Sequence, residues 1–74
     1  MKLPAISGHD AIKTLKKAGF VVIRQKGSHV RLGRIDGITV TKITVPLHKT
    51  LKKGTLERII KDAGLTTDEF LQLL

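Results

Sequence analysis

FVVIRQKGSHVRLGRIDGITVTKITVP, residues 20–46, reads as an antiparallel sheet. It holds three runs rich in β-branched residues, separated by two glycine-containing turns. FVVIRQ (20–25) predicts a first strand, and Lys26-Gly27-Ser28 turns the chain. HVRLGRI (29–35) alternates, sending Val30 and Leu32 to one face and His29 and Arg31 to the other. Asp36-Gly37, between Ile35 and Ile38, signals a two-residue hairpin loop. ITVTKITVP (38–46) predicts a third strand. Its apolar alternation runs through Ile38 and Val40, then changes phase to Ile43 and Val45. The change of phase predicts a bulge or a strong twist near Thr41-Lys42.

Helical patterns flank this sheet. Before it, Ser7 is placed to cap a helix, with Asp10 three residues on as a short-armed capping box and Ile6 and Ala11 as a staple. Ala11, Ile12, Leu15 and Ala18 recur at helical spacing, Lys13, Lys16 and Lys17 lie opposite, and Gly19 ends the helix. After it, Pro46 closes the third strand and LHKTLKKG makes a basic connection. A second helix is expected from about Thr55, with Leu56, Ile59, Ile60 and Ala63 as its apolar stripe and Gly64 at its end. Thr66 and Glu69 form a capping box for a short last helix carrying Phe70, Leu71, Leu73 and Leu74. The expected fold is α+β, with a three-stranded antiparallel sheet packed on two helices and its other face open. With no repeat, linker or low-complexity tract, residues 1–74 read as one domain.

Composition narrows the function. A chain of 74 residues has little room for an enclosed pocket, so chemistry is expected on an open surface. Fourteen Lys and Arg against six Asp and Glu give +8, which points to a polyanionic partner, nucleic acid first. The absence of cysteine excludes disulfides and cysteine-ligated zinc. MKLPAISG does not read as a signal peptide, no apolar run approaches membrane-spanning length, and a cytoplasmic location is expected. Phe20 and Phe70 are the only aromatic residues and both suit the core, so a base-stacking platform is not expected. No helix carries a convincing base-reading set, which weighs against a DNA-contacting regulator.

Gly27-Ser28-His29 lies between Lys26 and Arg31, with Arg24 and Arg34 nearby. Histidine can accept and return a proton near neutral pH. Glycine lets the backbone approach a ligand, Ser28 offers a hydroxyl and an N–H, and the cations would hold a phosphodiester. Such a set could take the proton of an RNA 2′-hydroxyl and let the oxygen attack the adjacent phosphorus, leaving a 2′,3′-cyclic phosphate and a 5′-hydroxyl. The same residues also read as an ordinary hairpin turn with a solvated histidine. His48 is a second candidate, as a proton donor or phosphate contact or as a plain loop residue. His9, in the first helical turn, reads as incidental. Lys49, Lys52 and Lys53 precede the second helix, whose N-terminus favours anions. Histidines at 9, 29 and 48 match no metal-ligand spacing, and no activating triad surrounds Ser28.

Taken in order, SGHDAIKTLKKAGF (7–20), RQKGSHVRL (24–32) and VPLHKTLKKGTLERIIKDAGLTTDEFLQLL (45–74) resemble the HicA-type toxins, the mRNA interferases of HicAB type II toxin–antitoxin modules. The resemblance spans nearly the whole chain. It implies a double-stranded-RNA-binding-domain-like α-β-β-β-α fold. It implies that His29 is the catalytic residue, that RNA is cut without a metal cofactor, and that the host stops growing. It also implies a HicB-type antitoxin that covers the His29 face. His9-Asp10 stands where the family usually has an acidic residue, a departure that bears on capping. Arg24, Lys26, Gly27, Ser28, Arg31, Arg34, His48, Lys49, Lys52 and Lys53 are the candidate RNA-binding residues beside His29. The competing reading is a non-catalytic double-stranded-RNA-binding domain built on the same basic surface.

Overall fold

The computed structural model describes residues 3–74. Residues 1 and 2, the start of the domain expected over 1–74, lie outside the described residues. The order is α1 (Gly8–Lys17), β1 (Val21–Lys26), β2 (His29–Asp36), β3 (Thr39–Pro46), α2 (Lys53–Asp62) and α3 (Thr67–Leu73). The strands form one antiparallel sheet in the order β1-β2-β3. This is the α+β architecture that the periodicities predict. Among the described residues, no helix is long and apolar enough to cross a membrane.

Each helix ends where local chemistry stops it. Ser7 Oγ accepts the Asp10 N–H at 3.1 Å, one half of the expected box. Past the end of α1, Phe20 N–H reaches Leu15 O and Gly19 N–H reaches Lys16 O, the paired bonds of a Schellman ending. Leu65 and Gly64 repeat that pair on Ile60 and Lys61 at the end of α2. Thr66 and Glu69 make the full reciprocal box at the start of α3, with bonds of 3.1 and 2.9 Å. α2 begins at Lys53, two residues before the expected start, and its N-cap Lys52 supplies no side-chain bond.

The two hairpin turns have a common design. Gly27-Ser28 joins Lys26 to His29, and Gly37-Ile38 joins Asp36 to Thr39. In each the glycine comes first with positive φ (59° and 63°), and no non-glycine residue among those described has positive φ. That pattern suits a II′ turn, in which only the first position needs glycine. The second loop is therefore Gly37-Ile38, one residue later than the expected Asp36-Gly37, and Ile38 leaves the strand for the turn.

The strand-three expectation needs a larger correction. β2 and β3 pair without interruption from His29↔Pro46 to Asp36↔Thr39, so no bulge lies at Thr41-Lys42. The phase change has a different cause. Val40 faces the open side of a regular strand and Ile43 and Val45 face the helices, so β3 carries apolar residues on both faces. The irregularity lies in β1, where the register slips between Val22 and Arg24 and Ile23 is the extra residue.

The core lies between the helices and β2–β3. Val30, Leu32, Ile43 and Val45 meet Ala11, Ile12, Leu15, Leu56, Ile59, Ile60 and Phe70, all buried. β1 has only β2 as an extensive neighbour and is exposed along its whole length. The sheet is thus an anchored pair of strands with an uncovered edge.

Backbone stitches tie the helices to the end of the sheet that carries His29. Leu47 N–H donates to Ser28 O (2.7 Å), Gly8 N–H to His48 O (2.9 Å) and Leu51 N–H to Ile6 O (2.8 Å). The approach at Gly8 leaves no room for a side chain: a Cβ there would overlap the Pro46 carbonyl oxygen and lie 2.9 Å from Leu47 Cα. Both neighbours are backbone and cannot rotate away. Gly8→Ala is expected to destabilise the fold by about 1–3 kcal/mol, as overpacking against rigid surroundings does. A urea titration of the wild type and the variant measures it.

Candidate functional site

Strict pairing decides what shares a face with His29. Residues directly opposite in an antiparallel pair project to the same side. Lys26 stands opposite His29, Arg24 opposite Arg31, and Thr44 across from Arg31 on β3. All five are exposed and together line one open depression of about 270 Å³ on the uncovered face. Lys42, opposite Gly33, continues the same face.

The electrostatics of this depression are one-sided. Arg24 and Arg31 are directly opposed like charges, an arrangement that costs stability in a sheet unless an anion joins them. No carboxylate lines the depression. Among the described residues the only ion pair joins Arg58 to Asp62 at 3.8 Å, on α2. The His29 ring has no hydrogen-bond partner among those residues, and neither do the Arg24, Lys26 and Arg31 side chains. A histidine free on its ring and surrounded by free cations can accept a proton, donate one, or bind an oxyanion.

The turn beside it is held by its backbone. Ser28 O accepts from Leu47, and Gln25 Nε2 donates to Gly27 O at 3.1 Å. The Ser28 side chain stays exposed. The Leu47 and Gly8 stitches bring His48 to the same end of the molecule, exposed, with its carbonyl engaged and its ring outside the depression. Lys49, Lys52 and Lys53 follow on the surface, separated by the buried Leu51. They surround the start of α2, whose first turn has neither a side-chain cap nor an acidic residue. Its N–H groups and dipole therefore add to the positive character of this end. None of these lysines lines the His29 depression.

Arg34 is not part of this group. It follows Val30 and Leu32 to the helix side of β2, where its Nη1 donates to Ala18 O at 3.1 Å and its guanidinium lies 5.0 Å from the Phe20 ring centroid. Its Nε is buried without a partner. A cation bonded to the last carbonyls of α1 acts as a C-terminal cap. The sequence grouped Arg34 with His29 by proximity, and the alternation that placed Val30 inward already pointed it the other way. Thr44 and Lys42 were missed for the converse reason: the supposed bulge hid their phase. Counting back from Val45 along a regular strand puts both on the His29 face.

Among the described residues no three His, Asp or Glu side chains gather as a metal-binding group. The family model described as HicA toxin of bacterial toxin–antitoxin matches residues 8–65, more than three quarters of the chain. A search of curated proteins finds no match.

The two arginines make contrasting predictions. Arg24→Ala is expected to weaken the binding of a nucleic-acid polyanion to the open face and to reduce the salt dependence of that affinity by about one unit of log–log slope. Arg34→Ala is expected to leave that affinity unchanged and to lower stability by about 1–2 kcal/mol through the lost C-terminal cap and stacking. Binding titrations at several salt concentrations, with thermal melts of both variants, test the pair.

Proposed function

The chain belongs to the HicA toxin family of bacterial toxin–antitoxin systems, and we propose that it is an mRNA interferase, an endoribonuclease that cuts RNA through His29. One observation carries this reading: an unpartnered histidine set among Arg24, Lys26 and Arg31 in an open depression without a carboxylate. An open basic surface takes a long polyanion and suits no small enclosed substrate.

The proposed chemistry needs one proton-transfer group and no metal cofactor. His29 takes the 2′-hydroxyl proton as the oxygen attacks the neighbouring phosphorus. The bond to the 5′-oxygen breaks, and that oxygen leaves as a hydroxyl with a proton from the imidazolium or water. The products are a 2′,3′-cyclic phosphate and a 5′-hydroxyl. Arg24, Lys26 and Arg31 hold the phosphodiester and offset the charge that builds on it. Gly27 and Ser28 bring backbone and hydroxyl close to the strand, and Thr44 adds a hydroxyl from β3. His48, Lys49, Lys52 and Lys53, with the free start of α2, extend the phosphate track. Arg34 is left out, because its guanidinium caps α1. Cleavage of messages in the cytoplasm would arrest growth until a HicB-type antitoxin covers the His29 face.

The alternative, a non-catalytic double-stranded-RNA-binding domain, draws on the same lysines and the same α2 N-terminus. The two readings part at His29. His29→Ala is expected to lower the cleavage rate by about 10²–10⁴-fold, the range of general acid–base help, while RNA affinity stays near wild type. The assay is run in EDTA with analysis of product ends. Cyclic-phosphate ends from the wild type alone support the nuclease. Equal binding with no cutting by either protein leaves the binding domain.

A further inference from the structure

The uncovered face of the sheet has a second half. Beyond Arg31, β2 continues outward through Gly33 and Ile35, and Val21 and Val40 stand opposite them. The bulge turns Ile23 onto the same side, where its Cδ1 occupies the space a Cβ on Gly33 would need. Ile38 projects fully exposed from the hairpin tip, and Ile35 keeps 76% of its surface in water. Together these five side chains expose roughly 500 Å², near the top of the range for the largest apolar patch on a monomer, where such patches are often functional. The patch adjoins the basic depression on the same strands. Neither the core nor the proposed cleavage uses it.

Area and charge decide what covers it. Two copies of the chain joined by this patch alone would bury roughly 1,000 Å² in total, below the ~1,200–2,000 Å² of a stable complex. Two copies overlapping over the whole face would press Arg24, Lys26, Arg31 and Lys42 either against their own counterparts, like charges that oppose association, or against the other copy's apolar half, where the cations lose water and gain no counter-charge. An RNA strand gains little here, since the patch presents aliphatic side chains with neither a stacking ring nor a hydrogen-bonding group. A protein with an apolar ridge beside a row of carboxylates fits both halves at once. Covering both halves brings the contact to roughly the 800 Å² per partner of a stable interface.

We propose that the apolar half of the sheet face, Val21, Ile23, Ile35 and Val40, with Ile38 at the adjoining hairpin tip, is the anchor for the antitoxin of this toxin, an acidic–apolar protein that reaches from it across the basic half and so shuts out RNA. The proposal rests on the toxin reading above. It separates two roles within one face: the apolar half supplies protein affinity, and the basic half is what the bound protein hides.

The test titrates the full chain with a HicB-type antitoxin by calorimetry. The variant is Ile35→Thr with Val40→Thr, which keeps β-branched residues in exposed strand positions. Antitoxin affinity is expected to fall by about 30-fold or more, the loss of a hot-spot contact. RNA cleavage is expected to stay within about twofold of wild type, and free toxin to remain monomeric by light scattering. Unchanged antitoxin affinity overturns the proposal. So does a parallel loss of RNA cleavage, which would make the patch an RNA contact, or a wild-type dimer that the variant abolishes, which would make the occupant a second copy. If the double variant melts early, Val21→Thr, on the same face of the exposed edge strand, carries the same comparison. A wild-type protein that cuts no RNA defeats the nuclease reading and still leaves the antitoxin affinities to decide this one.

Discussion

The uninterrupted register between β2 and β3 sets both faces of the sheet at once. Side chains on a strand alternate, so one slip would carry every residue to the other face. With His29 opposite Pro46 and Ile35 opposite Val40, the sheet buries Val30, Leu32, Ile43 and Val45 on one side. The same register leaves His29, Arg31 and Thr44 on the other. Core and candidate site are two readings of one alternation. The burial of four branched side chains, each worth roughly 1.5–3 kcal/mol, holds in place a cluster of cations that repel one another.

That alternation was legible in the sequence over β2, and with it the core, the three-stranded order and the outward placement of His29 and Arg31. The caps were legible too, because Ser7, Gly19, Gly64 and the Thr66–Glu69 pair act through local bonds. What escaped were features whose signal is not local. A regular strand with apolar residues on both faces cannot be told from a bulged one by hydropathy alone. Hence the sequence points to a bulge or a strong twist at Thr41-Lys42, whereas the bulge lies at Ile23. Asp36-Gly37 fits a common hairpin turn, but the register makes Gly37-Ile38 the loop. Arg34 was drawn to the site by charge and proximity, although its parity sends it to the end of α1. His29 as a catalytic residue came from the likeness of whole segments to a family; spacing alone left it beside an ordinary turn.

The candidate site is built without partners for its side chains. In larger enzymes a catalytic histidine is often oriented by a carboxylate. Here the described residues provide none for His29, and its position comes from the backbone: a two-residue turn, the Ser28–Leu47 bond and the pairing with Lys26 and Pro46. A chain of this size has no spare layer from which to reach in with a supporting acid. The proposed mechanism fits that economy, because it asks one histidine to move protons and leaves charge stabilisation to flanking cations. A bound phosphodiester would relieve the opposition of Arg24 and Arg31, so substrate binding and local strand stability should rise together.

The division of the open face follows from the same economy. On the proposed reading the toxin meets a polyanion and, in turn, a protein that restrains it, and this fold offers one uncovered sheet surface for both. Phosphates are satisfied by charge and are indifferent to aliphatic side chains, whereas stable protein association needs apolar burial that a field of lysines and arginines cannot supply. Splitting the strands lengthwise into a basic end and an apolar end lets each ligand draw on a different physical force. The shared strands would then make the two proposed ligands mutually exclusive without any conformational change. The bulge at Ile23 contributes to this division. It places Val21 and Ile23 over the Gly33 end while keeping Arg24 and Lys26 opposite Arg31 and His29. A regular β1 would carry either the apolar pair or the basic pair to the opposite face. The irregularity at the exposed edge is therefore what allows one strand to serve both ends of the surface.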